Sequence, residues 1–160
     1  MKRPFIIGVG GTCSNSGKTT TAVSLLRYLS AGKGQQATDS GGESTENALP
    51  TPIHPKSGGS GKWGAIKYTK TELYASLVDD KAVLSSKDKD TGRFIEAGAE
   101  DVIWVKSSPQ DLKDLLPMAG DRLSRLDGLV VEGNSAIEFL KTDIVIFMVS
   151  ENNECWKNRH

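Results

Sequence analysis

The stretch Gly10-Gly11-Thr12-Cys13-Ser14-Asn15-Ser16-Gly17-Lys18-Thr19-Thr20 constrains the fold more than any other part of the chain. It follows a short apolar run, Phe5 to Val9, that reads as a buried strand. It precedes a segment in which Ala22, Val23, Leu25, Leu26 and Leu29 fall on one helical face, with Gly32 placed to stop the helix. Strand, glycine loop and helix together form the context in which consecutive backbone N–H groups turn inward and bind phosphate oxygens at a positive helix end. In this phosphate-loop reading, residues Thr12, Cys13, Ser14, Asn15, Ser16, Gly17, Lys18, Thr19 and Thr20 contact a nucleotide. Lys18 reaches the β- and γ-phosphates and is the catalytic charge, and the Thr19 hydroxyl binds Mg²⁺. The usual pattern has a glycine five positions before the second one; Thr12 stands there, and Gly11 is six before. A serine-rich turn that contains Gly-Lys-Thr by chance would lack the flanking strand and helix.

Further along, 31–62 differs from its surroundings. It contains Gly41-Gly42, Pro50, Pro52, Pro55 and Ser57-Gly58-Gly59-Ser60-Gly61, with only Leu49 and Ile53 as large aliphatics. Such a composition buries too little apolar area to offset the entropy of ordering. The reading is a single domain over 1–160, interrupted at about 33–61 by a disordered surface insertion.

After it, Trp63 to Tyr68 reads as a strand, Thr71 to Val83 as a helix, and Thr91 to Ala97 as a helix stopped by Gly98. Asp101 to Val105 is a strand, and Ser108-Pro109-Gln110-Asp111 carries the cap serine, first-turn proline and acidic residue of a helix start. Pro117 is expected to kink or end that helix. Leu126 to Val131 and Ile144 to Val149 read as two further buried strands. Strands alternating with helices predict an α/β fold of the P-loop nucleoside triphosphate hydrolase type, its mainly parallel sheet flanked by helices.

Charge and cysteines narrow the partners. Lys plus Arg and Asp plus Glu balance at 20 each, so no electrostatic case arises for a nucleic acid or a membrane surface. No segment approaches the ~18 apolar residues of a membrane span. The two cysteines, Cys13 and Cys155, read as reduced thiols of a cytoplasmic protein.

Two acidic elements accompany the loop. Leu129-Val130-Val131-Glu132-Gly133-Asn134 ends a buried strand on a carboxylate, which in a parallel sheet beside the phosphate loop can hold Mg²⁺ directly or through water. Lys87-Asp88-Lys89-Asp90-Thr91-Gly92-Arg93 is either a solvated charge run or a source of metal-binding aspartates and phosphate-binding cations.

Four stretches together resemble the molybdopterin-guanine dinucleotide biosynthesis protein B family. They are Ser14-Asn15-Ser16-Gly17-Lys18-Thr19-Thr20, Ile66-Lys67-Tyr68-Thr69, Lys89-Asp90-Thr91 with Ala97-Gly98-Ala99, and Leu126-Asp127 with Val131-Glu132-Gly133. They occur in the family's order across most of 5–150 outside the insertion, and Lys89-Asp90-Thr91 before Ala97-Gly98-Ala99 is the specific one. Thr91 stands where the family usually has serine, Tyr68 where it has histidine, and Asn134 where an aromatic is common. The resemblance implies a GTP-binding homodimer with weak hydrolysis. Such a protein works in molybdenum cofactor biosynthesis beside the guanylyltransferase that joins GMP to molybdopterin. It also implies a magnesium site formed by Thr19, Asp90 and Glu132.

Two other readings remain open. The Gly11-to-Gly17 spacing and Val131-Glu132-Gly133 are similar to those of dethiobiotin synthetase and the cobyrinic acid amidating enzymes, which bind ATP and activate a carboxylate. A non-catalytic adaptor that uses bound GTP to dock a partner is the third. Base identity is not readable, since no Asn/Thr-Lys-x-Asp tetrapeptide occurs.

Overall fold

The computed structural model describes residues 3–31, 61–86 and 89–150. The insertion expected at about 33–61, the stop residue Gly32 and Asp88 lie outside them. Six strands form one sheet: β1 (Phe5–Gly11), β2 (Trp63–Lys70), β3 (Ser76–Val78), β4 (Val102–Ser107), β5 (Gly128–Glu132) and β6 (Ile144–Met148). Their order is β3-β4-β2-β5-β1-β6, and every pairing is parallel except that of β3 with β4. Among the described residues five helices accompany it: α1 (Lys18–Ser30), α2 (Lys81–Leu84), α3 (Asp90–Glu96), α4 (Pro109–Arg122) and α5 (Asn134–Phe139). The α/β class with a mainly parallel, helix-flanked sheet is therefore as expected.

Period-two alternation sorts the strand residues between two cores. Val9, Ala65, Val102 and Val130 pack with Ala22, Val23 and Leu26 of α1 and Phe94 of α3 on one face. Ile6, Ile66, Ile103, Leu129 and Val131 pack with Leu112, Leu116 and Ala119 of α4 on the other. Each of these side chains is nearly solvent-free, and burying a Val, Leu, Ile or Phe among them contributes about 1.5–3 kcal/mol. Gly8 permits close approach on the second face, where a Cβ would lie 2.9 Å from Ile137 of α5.

Local signals read from sequence hold at both ends of the middle helices. The Ser108 hydroxyl accepts from the Asp111 N–H, capping α4. Gly98, at φ 99°, takes the left-handed turn that ends α3.

Two expectations fail, and that for Pro117 is narrowed. The helix expected over Thr71 to Val83 is instead a loop, the short strand β3 and the one-turn α2. Leu73, which would have joined the apolar face, is 88% exposed. Leu77 and Val78 instead pair with Val105 and Trp104 on the edge of β4, and Asp80 starts a new helix by accepting from the Ala82 N–H. Pro117 does not end α4, which runs on to Arg122. The carbonyl deprived of its donor belongs to exposed Lys113, while Leu116, Ala119 and Leu123 keep the helix on the sheet. Finally, β6 is not a buried strand. It occupies the sheet edge, and Ile144, Val145 and Phe147 are each about half exposed because no described helix covers it.

Candidate phosphate and metal cleft

Parallel pairing brings the C-terminal ends of β1, β2 and β5 to one rim. Val9 pairs with Glu132, and Lys67 with the same Glu132 from the other side. The loop 12–17 rises from β1 at this rim and runs into α1. Its shape depends on two residues with positive φ, Asn15 at 60° and Gly17 at 89°. Asparagine and glycine tolerate that conformation best.

Gly11 explains the six-residue spacing. A Cβ there would sit 2.3 Å from the Ser16 hydroxyl, so the loop closes back onto its own entry strand only over a glycine. Thr12, at the usual glycine position, is partly exposed; its N–H bonds the Met148 carbonyl and its hydroxyl accepts from the Ser150 N–H.

The N–H groups of Asn15 through Thr20 have no backbone carbonyl acceptor among the described residues. They belong to the loop and first turn of α1 and border a cleft of about 490 Å³. Lys18 arches over the loop, donating to the Cys13 carbonyl at 2.5 Å and to the Ser16 hydroxyl at 3.3 Å. Burial holds its ammonium below the usual lysine range, and the charge of Lys67 adds to this against the pull of Glu132.

The three residues expected around a metal do converge. The Thr19 hydroxyl lies 3.0 and 3.1 Å from the two Glu132 carboxylate oxygens. Glu132 is 2% exposed, which rejects a solvated strand-end glutamate. Asp90, the first residue of α3, joins from the third side. Burial pushes the Asp90 carboxyl up, but Lys67, Thr19 and Arg93 together bring it below the usual carboxylate range. Among the described residues no three His, Cys, Asp or Glu side chains form a complete metal cage. Two carboxylates and one hydroxyl nevertheless suit a Mg²⁺ ion, which keeps several waters and takes its remaining oxygens from substrate phosphates.

Sequence reading missed two contributors. Lys67 donates to Glu132 at 2.6 Å and to Asp90 at 2.8 Å, tying β2, β5 and α3 together. Its signal was a lysine set between buried Ile66 and Tyr68 within the strand. Asn134 clamps the exit of β1, its side chain accepting from the Gly11 N–H at 2.9 Å and donating to the Gly11 carbonyl at 2.8 Å. The residue noted above only as a departure from an aromatic thus fixes where the loop begins. Arg93 lines the same cleft.

Tyr68, the departure from histidine, lies on the opposite sheet face and donates to the Ser107 carbonyl at 3.1 Å. Cys13 is disulfide-bonded, so the expectation of reduced thiols fails for it. Cys155 lies outside the described residues. Cysteine usage therefore gives no support to a reducing compartment.

Among the described residues no helix is long and apolar enough to cross a membrane. Comparison with protein-family models, with curated proteins and with solved structures returns no match.

Proposed function

We propose that the cleft holds a Mg²⁺–nucleoside triphosphate, making this a P-loop protein of the nucleoside triphosphate hydrolase class. The observation that carries the reading is the row of uncommitted N–H groups from Asn15 to Thr20, set at the start of a 13-residue helix beside Lys18. The first N–H groups of a helix have no partner within it, and a row of them at its positive end favours a multivalent oxyanion as partner. Thr19, Glu132 and Asp90 would hold the metal. Bound there, Mg²⁺ would offset the charge of the phosphate oxygens.

Hydrolysis in this arrangement is slow. Both cleft carboxylates are engaged by Lys67, which leaves neither free to act as general base. Rate enhancement would rest on charge stabilisation by Lys18 and the metal.

GTP is the proposed nucleotide, and assistance to a separate enzyme that attaches GMP to molybdopterin is the proposed role, with a homodimer as the working form. Support comes from the Lys89-Asp90-Thr91 and Ala97-Gly98-Ala99 resemblance, since Asp90 is the residue of that motif that lines the cleft. The test is a competition titration with GTP and ATP at equal Mg²⁺, followed by a reconstituted guanylylation assay. GTP should win, and the protein should stimulate transfer without performing it. Preference for ATP, with phosphate release stimulated by a carboxylic substrate, would favour the carboxylate-activating ligase class instead.

A further inference from the structure

The oxygens that would meet a divalent cation already face a cation of the protein's own. Lys67 Nζ is 2.6 Å from Glu132 Oε1 and 2.8 Å from Asp90 Oδ2, while Thr19 Oγ1 stands 3.0 Å from that same Glu132 oxygen. Two carboxylate oxygens, from β5 and α3, meet one ammonium, and the Thr19 hydroxyl of α1 donates to one of them. The Lys67 side chain is 16% exposed and that of Glu132 is 3% exposed, so the pairing is shielded from water. Lys67 starts from β2, whose register against β5 puts its Cα directly beside that of Glu132. This is built into the sheet and does not depend on a wandering surface lysine.

We propose that Lys67 is a resident counter-cation which occupies the divalent-cation position of the nucleotide-free protein and must be displaced when metal enters. The inference rests on the reading of the cleft as a metal–nucleotide site and adds a regulation to it. A buried carboxylate without a cation is costly, so an empty site would be destabilised or would gather free metal. With Lys67 in place the cleft is neutralised without metal, and a divalent ion alone meets competition from a covalently tethered charge. The phosphate oxygens of a metal–triphosphate complex give the displaced ammonium new partners. Lys67 also lines an adjoining recess of about 210 Å³ with Thr69, Lys89, Asp90, Thr91 and Trp104, which offers the long side chain room to move. Metal therefore enters together with nucleotide and not before it.

The test is a titration of the nucleotide-free protein with Mn²⁺, followed by electron paramagnetic resonance of the free ion. Wild type should bind Mn²⁺ weakly. Lys67→Gln removes the charge while its amide can still donate to the carboxylates, and should bind Mn²⁺ at least tenfold more tightly. Lys67→Met should do the same where it folds, and Lys67→Arg, which keeps the charge, should remain as weak as wild type. Circular dichroism checks each fold. A folded Lys67→Gln with wild-type Mn²⁺ affinity overturns the proposal, as does a Lys67→Arg as tight as Lys67→Gln. Because no nucleotide is present, this failure is distinct from failure of the triphosphate reading, which a separate nucleotide titration of wild type decides.

Discussion

Two cavities of similar size sit at opposite ends of the sheet. The cleft at the C-terminal strand ends measures about 490 Å³, and a second cavity beside the N-terminal end of β4 measures about 430 Å³. The second has an apolar floor of Leu84, Ile95, Val102, Ile103 and Leu123, and charges at its rim. Four of those charges are settled in pairs: Arg122 with Asp79 at 2.7 Å, and Arg125 with Asp101. In the first, a row of backbone donors has no protein carbonyl acceptor, and Lys18 has no carboxylate within ion-pair distance among the described residues. Volume does not separate the two regions; uncommitted hydrogen-bonding capacity does.

The largest expected effect that would break this contrast is at Lys18. Lys18→Ala should lose about a hundredfold in triphosphate affinity, roughly 2.7 kcal/mol, with an unchanged fold, since a charge-assisted contact is lost and no packing. A fluorescent-nucleotide titration measures it, and near-normal binding would move the site elsewhere.

Gly11→Ala sharpens the geometry. The added Cβ collides with the Ser16 hydroxyl, and affinity should fall about tenfold, roughly 1.4 kcal/mol, as the loop shifts. Adding Ser16→Ala removes the colliding oxygen and should restore most of the affinity. If the double variant is no better than the single, the loop is not held by this contact.

Asp90 offers a pH probe. Its carboxyl lies below the ordinary range in the folded protein, so its contribution is complete at neutral pH. The contribution starts to fall as pH drops through the unfolded value and is gone below the folded one. With the Asp90 side chain 41% exposed, solvent screening keeps the effect below about 1 kcal/mol. Melting curves should show wild type slightly above Asp90→Asn at neutral pH and the two merging in acid. A gap that persists in acid would mean that charge is not its source.

The smallest effect belongs to the other cavity. Arg125→Ala breaks a rim ion pair whose arginine is 60% exposed, and should cost at most about 1 kcal/mol of stability while leaving nucleotide affinity unchanged. A clear loss of nucleotide affinity would show that the two ends of the sheet are coupled.

What the sequence determined by itself was local. The strand before Gly10, the helix after Gly17, the cap at Ser108 and the stop at Gly98 each depend on residues within a turn or two of one another. Propensity and periodicity report such contacts directly. Glu132 was legible only beside the phosphate loop, since a carboxylate ending an apolar strand is by itself a common pattern. Long-range pairing decided the rest. Leu77 and Val78 formed a strand because the free edge of β4 accepted them, overriding a weak helical pattern. β6 was left half exposed by its place at the sheet edge, which its apolar composition does not encode. Lys67 and Asn134 became site residues through partners 65 and 123 positions away. A residue's type limits what it can bind, but strand order and register choose its neighbour. Those are set by the burial of the whole sheet between its helices, not by any one segment.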